Sequence, residues 1–189
     1  NRPLIPHATN PVGSYRRDFD LPADWNGREV FLHIGAAGSA YYVWVNGHKV
    51  GYAEDSKLPS EFNLTRYLKP GRNTLAIEIY RFADGSYLED QDFWRVSGIE
   101  RSVYVYAEPA QRLRDFTVDA SLDKQGYRQG RFSLQPEFTA GTRGTVSAPV
   151  FDGDQPVLNV SAPVADGKSA PLTGAIEKVK PWSAETPNL

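Results

Sequence analysis

Cysteine is absent from the 189 residues of this chain. Its absence excludes disulfide bonds, thiolate metal sites and cysteine nucleophiles, although it does not decide the cellular compartment. The sequence also lacks any apolar run approaching the roughly 20 residues of a membrane-spanning helix. Neither sign of charge is in large excess, since the chain has 21 basic and 23 acidic side chains and a net charge of −2. We therefore expect neither nucleic acid nor a membrane as a partner.

The pattern of a long amphipathic helix is missing as well, and a two-residue alternation is present in its place. Two apolar runs flank Asn46-Gly47, a dipeptide that tolerates the positive φ angles of a type I′ hairpin turn. Pro70-Gly71 closes a stretch that resembles one short helical turn. Alternation predicts strands in the segments "REVFLHIG", "YYVWVNGHKVGY", "NTLAIEIYRF" and "RSVYVYAE". For residues 1–108 the sequence therefore predicts an all-β, antiparallel sandwich of jelly-roll type.

Aromatic residues become sparse after a short linker, Ala107 to Leu113. Residues 1–111 contain 17 of the 23 Phe, Trp and Tyr side chains. Further strands are predicted in "LRDFTVDASL", "RFSLQPEFT", "GTVSAPVF", "PVLNVSAPV" and "LTGAIEKVK". Their spacing favours an immunoglobulin-like sandwich over residues 109–189, but five or six strands fall short of the usual seven or so. We therefore expect this second domain to be truncated before its last strand, with an unpaired edge.

Acids and aromatic rings are concentrated in the stretch "DGSYLEDQDFWR", residues 84–95. Carboxylates accept hydrogen bonds from sugar hydroxyls, and aromatic rings cover the apolar face of a sugar. The same letters also fit a charged hairpin at the edge of a sheet. The stretch contains four carboxylates and three rings, namely Asp84, Glu89, Asp90, Asp92, Tyr87, Phe93 and Trp94.

An ordered set of motifs resembles the sugar-binding domain of bacterial β-galactosidases of glycoside hydrolase family 2. The motifs are "NPVGSYRRDFDLP", "NGHKVGY", "DSKLPSEF", "DGSYLEDQDFWR" and "SGIERSVYVY", and "PWSAETPNL" is similar to a segment of the following immunoglobulin-like domain. The resemblance is dense over residues 10–107 and sparse from about 112 to 180. It implies that the chain is the N-terminal portion of a larger retaining glycosidase. An (α/β)8 barrel absent from this chain would carry both catalytic carboxyls and most Mg²⁺ ligands.

The resemblance assigns a substrate-binding role to Asp92, the second aspartate of the pattern D-x-D-[FM]-W-R before S-G-I. It implies that Asp92 contacts galactose hydroxyls and helps to hold Na⁺, a hard cation that suits a carboxylate oxygen. No catalytic residue is expected in this chain, so we expect it to be inactive without the barrel. The implied partners are a β-galactoside and the barrel of the same polypeptide. A homo-oligomeric, cytoplasmic enzyme is expected, with the periplasm as the alternative compartment.

Other interpretations of the same residues compete with this one. Glu89 and Asp90 fit structural roles, accepting hydrogen bonds from turn amides or pairing with Arg95 or Arg101. Four tryptophans are predicted to be core residues, namely Trp25, Trp44, Trp94 and Trp182. The three histidines lie too far apart in sequence to indicate a zinc site. The chain could also be a stand-alone carbohydrate-binding module, an architectural segment, or part of a β-glucuronidase or β-mannosidase.

Overall fold

The computed structural model of the protein describes residues 4–92 and 94–188. The chain divides into two compact units, Asn1–Pro109 and Ala110–Leu189. The division lies within the linker predicted from the drop in aromatic content. Both units consist of antiparallel strands, which confirms the all-β prediction. Within the described residues, no helix has the length and apolar character needed to cross a membrane.

Four long strands form the first sheet of the first unit. They are β1 (Val12–Leu21), β4 (Ala40–Val45), β5 (His48–Ala53) and β7 (Gly71–Tyr80). Their order across the sheet is β1-β7-β4-β5, and every neighbouring pair is antiparallel. Asn46 and Gly47 join β4 to β5 with φ angles of 52° and 83°. These positive angles confirm the predicted hairpin turn, because a type I′ turn requires φ above zero at both central residues.

The second sheet packs against the first and contains five strands of two to six residues. They are β2 (Glu29–Ile34), β3 (Ala37–Gly38), β6 (Ser60–Asn63), β8 (Gly98–Ile99) and β9 (Val103–Glu108). β2 lies between β6 and β9, and β3 pairs with β8. Two backbone hydrogen bonds connect the β2–β9 pair to the β3–β8 pair. The Gly35 amide donates to the Ser102 carbonyl, and the Glu100 amide donates to the Ala36 carbonyl. A short 3₁₀ turn at Thr65–Tyr67 confirms the helical turn predicted before Pro70-Gly71.

Alternate residues of facing strands make the core of the first unit. On β2, Leu32 and Ile34 are fully buried, and Val43 and Val45 of β4 meet them from the other sheet. Leu64, which precedes the 3₁₀ turn, closes the same cluster. The burial follows from the period of two, since every second side chain of a strand points toward the facing sheet.

The second unit has five strands among its described residues. They are β10 (Leu113–Leu122), β11 (Gln129–Phe138), β12 (Gly144–Asp152), β13 (Gln155–Val164) and β14 (Leu172–Glu177). β10, β11 and β14 form one sheet, and β12 pairs with β13 in another. All five coincide with segments that alternation predicts. Nearly every residue of β10 is exposed, so this strand has little cover on either face.

The acidic stretch after β7 does not form a hairpin. Residues Gly85–Leu88 make a single helical turn, α1, and irregular chain leads from there to β8. The hairpin alternative is therefore wrong. Asp84 caps α1 by accepting a hydrogen bond from the Gly85 amide at 3.0 Å, which favours a helical turn over a strand at this position.

Candidate functional site

Three of the sequence motifs meet around one cavity of about 440 Å³ in the first unit. Its walls come from the turn at Gly38-Ser39, from Ser56 and Lys57, and from residues on both sides of α1. The motifs "DSKLPSEF", "DGSYLEDQDFWR" and "SGIERSVYVY", which are separate in sequence, each contribute to the lining. The sheet topology brings them together because β3 and β8 pair at this end of the sandwich.

A chain of hydroxyl contacts fixes α1 beneath the cavity. The Ser86 hydroxyl donates to the Ser39 hydroxyl at 3.0 Å and accepts from the Ala83 amide at the same distance. Ser39 is only 6% exposed, and its hydroxyl also donates to the Arg81 carbonyl at 3.2 Å. Buried hydroxyls need such partners, because an unpaired one costs about 1–3 kcal/mol. The helical turn is therefore anchored to the core through β3 and β7.

Carboxylates connect α1 to the neighbouring segment of residues 54–57. Glu89 Oε2 accepts a hydrogen bond from the backbone amide of Ser56 at 3.3 Å. Glu54 accepts from the Tyr52 hydroxyl and shares a hydrogen bond with the carboxyl group of Asp84. Burial, that hydrogen bond and the negative charges of Asp84 and Glu89 together raise the pKa of Glu54 above its ordinary value. The Glu54 carboxyl therefore holds a proton more readily than a solvated glutamate does.

Basic groups of the cavity lining pair with two further acids, Glu100 and Asp90. Lys57 Nζ donates to Glu100 Oε1 at 2.7 Å, and the Arg101 guanidinium donates to the Lys57 carbonyl at 3.4 Å. Arg95 and Asp90 form an ion pair of 2.9 Å. The sequence prediction that Glu89 and Asp90 make structural contacts is confirmed by these contacts.

Asp92 is exposed, and in sequence it lies between Asp90 and Arg95, which form an ion pair. It is not among the described lining residues of the cavity, although Gln91 and Trp94 on either side are. Phe93, the third ring predicted to accompany these acids, lies outside the described residues. A carboxylate at such a position is open to a partner from outside the unit.

Trp94 is 83% exposed, so the prediction that it belongs to the core is wrong. The same holds for Trp182, which is 62% exposed, whereas Trp25 and Trp44 are partly buried. Trp94 sits in irregular chain, where no facing sheet covers it. Together with Tyr87, it gives the rim of the cavity an aromatic surface.

The cavity combines acceptors, donors and rings, a set that suits a polyhydroxylated ligand. Among the described residues, no group of three or more His, Asp or Glu side chains could hold a metal ion.

Sequence reasoning missed several residues of this site. Ser39, Glu54 and Ser56 carry no catalytic or ligand pattern, yet they hold α1 in place. Lys57 and Glu100 form a wall by pairing across 43 positions of sequence. Ser56 and Lys57 belong to "DSKLPSEF" and Glu100 to "SGIERSVYVY", but these motifs did not indicate which residues pair.

A second cavity of about 600 Å³ opens between the edges of the two sheets. Its lining is mainly apolar, with Phe19, Leu75 and Val105 among the side chains and Arg16 and Arg17 near the rim. Few acceptors face it, so it does not suit a sugar as the first cavity does.

The first unit is thus an antiparallel sandwich with an aromatic-rimmed cavity at one end. The sequence profile described as the sugar-binding domain of glycosyl hydrolases family 2 matches residues 1–109. The chain therefore belongs to glycosyl hydrolase family 2.

Similar proteins agree with this assignment. A β-galactosidase of Priestia megaterium is 41% identical over 99% of the chain, and one of Aeromonas hydrophila is 42% identical over 99%. The chain spans only about a fifth, 19%, of the length of each of these curated relatives. Among solved structures, a β-glucuronidase 2 mutant of Bacteroides uniformis matches 94% of the chain with a TM-score of 0.73 and 22% identity. The chain covers 23% of that protein, and a likeness at this identity shows the fold alone.

A β-glucuronidase of Bifidobacterium dentium shares the fold as well. It matches 93% of the chain with a TM-score of 0.71 and 19% identity, and the chain covers 35% of it. The two-sheet architecture is thus common to family members that are named for different substrates.

Proposed function

We propose that this chain is the N-terminal, non-catalytic portion of a β-galactosidase. In this proposal a barrel elsewhere in the polypeptide hydrolyses terminal β-galactosides with retention of configuration, using two carboxyls about 5 Å apart. The observation that carries the proposal is the convergence of three family motifs on one cavity, in a chain whose curated relatives at about 40% identity are named β-galactosidases.

The proposed role of Asp92 is to complete the galactose pocket. Its carboxylate is exposed, between the ion-paired residues Asp90 and Arg95 in sequence, so it is available to a barrel docked against this face. A carboxylate accepts from two neighbouring sugar hydroxyls at once, which gives it value for orienting a sugar. It would also provide one hard ligand to Na⁺, with Mg²⁺ held by residues of the barrel.

The wider context of the enzyme belongs to the same proposal. We expect a homo-oligomeric enzyme in the cytoplasm, and we expect the isolated chain to be inactive. Size-exclusion chromatography with light scattering of the complete enzyme tests the assembly, and cell fractionation tests the compartment.

The deciding experiment is hydrolysis of a chromogenic β-galactoside by the purified chain, alone and mixed with a separately expressed remainder of its enzyme. We expect no activity from the chain alone and activity on mixing. Turnover by the chain alone would overturn the proposal and make the acids of residues 84–92 the first catalytic candidates.

A stand-alone carbohydrate-binding module is the second candidate, favoured by the 83% exposure of Trp94 beside an acidic cavity. Isothermal titration of the chain with galactose and lactose separates the two functions. Saturable binding to the chain alone, abolished in Trp94→Ala, supports a module; absence of binding supports a pocket that needs the barrel.

A further inference from the structure

The segment that carries Asp92 has little intrinsic order. α1 is a single turn of four residues, and a helix shorter than roughly 12 residues is marginal in water without tertiary contacts. From Glu89 to Ser97 the described chain forms neither helix nor strand. The direction in which Asp92 points therefore depends on what holds the two ends of α1.

At the C-terminal end of α1, the holding group is Glu89. Its carboxylate accepts from the Ser56 amide, and Ser56 is only 8% exposed. The side chain folds back over α1: a Cβ atom added to Gly85 would lie 3.0 Å from Glu89 Oε1. Because Gly85 lacks that atom, the carboxylate can lie across the turn and reach Ser56. Glu89 thus joins the end of α1 to residues 54–57.

Nearer the N-terminus of α1, the holding group is Ser86. Its hydroxyl donates to the buried Ser39 hydroxyl at 3.0 Å and accepts from the Ala83 amide at the same distance.

We infer that Glu89 is a positioning residue for Asp92, because its carboxylate clamps the C-terminal end of α1 onto the Ser56 amide. This inference rests on the proposed function for its consequence in substrate binding, but the clamp itself is a property of this chain.

Amide hydrogen exchange of the 189-residue chain tests the clamp without any sugar. Glu89→Ala removes the acceptor of the Ser56 amide, and we expect the protection factor of that amide to fall about tenfold. Glu89→Gln keeps a carbonyl acceptor and should restore most of the protection. The control Glu137→Gln changes an exposed glutamate of the second unit, paired with Arg114, and should leave the Ser56 amide unchanged. Unaltered Ser56 protection in Glu89→Ala would overturn the clamp.

Kinetics of the chain mixed with the remainder of its enzyme test the consequence for substrate. Glu89→Ala should raise KM for the chromogenic galactoside about tenfold, with rescue by Glu89→Gln, because a misdirected Asp92 weakens galactose binding. An unchanged KM would overturn the positioning role. A wild-type mixture without activity would overturn the proposed function instead, and the exchange data would still decide the clamp.

Discussion

Leu32, Val43 and Leu64 of the first unit are fully buried, whereas Phe116 and Val118 on β10 of the second are 54% and 46% exposed. Strands in both units alternate in the same way, so the difference does not originate in local pattern. The difference arises because the strands are covered to different extents by a facing sheet. β2 and β4 face each other across a closed sandwich, whereas β10 is an edge strand whose apolar residues are only partly covered. Alternation creates an apolar face, and a second layer is needed to bury it.

The largest expected contrast comes from one substitution made in each unit. Leu32→Ala deletes a fully buried side chain and should lower the free energy of unfolding by about 2–5 kcal/mol. Leu113→Ala affects a residue that is 44% exposed and should cost less than about 1 kcal/mol. Urea unfolding monitored by NMR signals of each unit measures both. Equal losses would show that β10 is as well covered as β2.

The next comparison concerns the stability lost when a buried asparagine and an exposed asparagine are each replaced by alanine. Asn73 is 1% exposed; its side chain accepts from the Asn46 side chain and the Lys69 amide and donates to the carbonyls of Lys69 and Gly71. Asn73→Ala leaves several buried groups unpaired and should cost at least about 2 kcal/mol. Asn159→Ala, on exposed β13, should change stability by no more than about 0.5 kcal/mol. The same urea titration decides the comparison.

A smaller contrast concerns two aspartates with lowered pKa values. Hydrogen bonds from Thr74 and Arg72 lower the pKa of Asp18, and backbone amides of Gln129 and Arg128 do so for Asp123. Each contributes stability that is present above the ordinary value of 3.8 and is lost as the pH falls through the lowered one. Carboxyl ¹³C titration should place both below 3.8.

Side-chain variants separate the two cases. Thr74→Val removes the hydroxyl that donates to Asp18 at 2.7 Å and should raise the pKa of Asp18. Gln129→Ala keeps the backbone amide and should leave the pKa of Asp123 unchanged. A rise in the pKa of Asp123 in Gln129→Ala would mean that the Gln129 side chain, rather than its backbone amide, stabilises the carboxylate.

The smallest effect is expected at the outer face of the second sheet. Burial, followed by a 2.9 Å hydrogen bond to Glu61 and nearby acidic charges, raises the pKa of Tyr106 to about 12. Stability linked to this group is therefore present below about pH 10 and lost above about pH 12. Glu61→Gln should lower the pKa toward its ordinary value of 10 without reaching it, since burial remains. Phenolate absorbance during an alkaline titration measures the change.

Strands and turns were the features most accessible from sequence, because they depend on neighbours along the chain. Asn46-Gly47 predicted the hairpin turn because both residues tolerate positive φ angles. The five strands of the second unit were predicted from the alternation of apolar and polar residues. The prediction failed at Trp94, where a ring was assumed to be buried because of its type. Its exposure depends on irregular chain that no sheet covers.

The sequence by itself determined the strands, the hairpin turn and the family, since each depends on local conformational preference or on ordered motifs. Tertiary structure alone decided that Glu89 meets the Ser56 amide and that Ser86 meets the Ser39 hydroxyl. These contacts join residues 30 or more positions apart, and the pairing of β3 with β8 brings their segments together. The spacing of residues in the sequence does not predict these contacts, because the packing of the two sheets determines which residues meet.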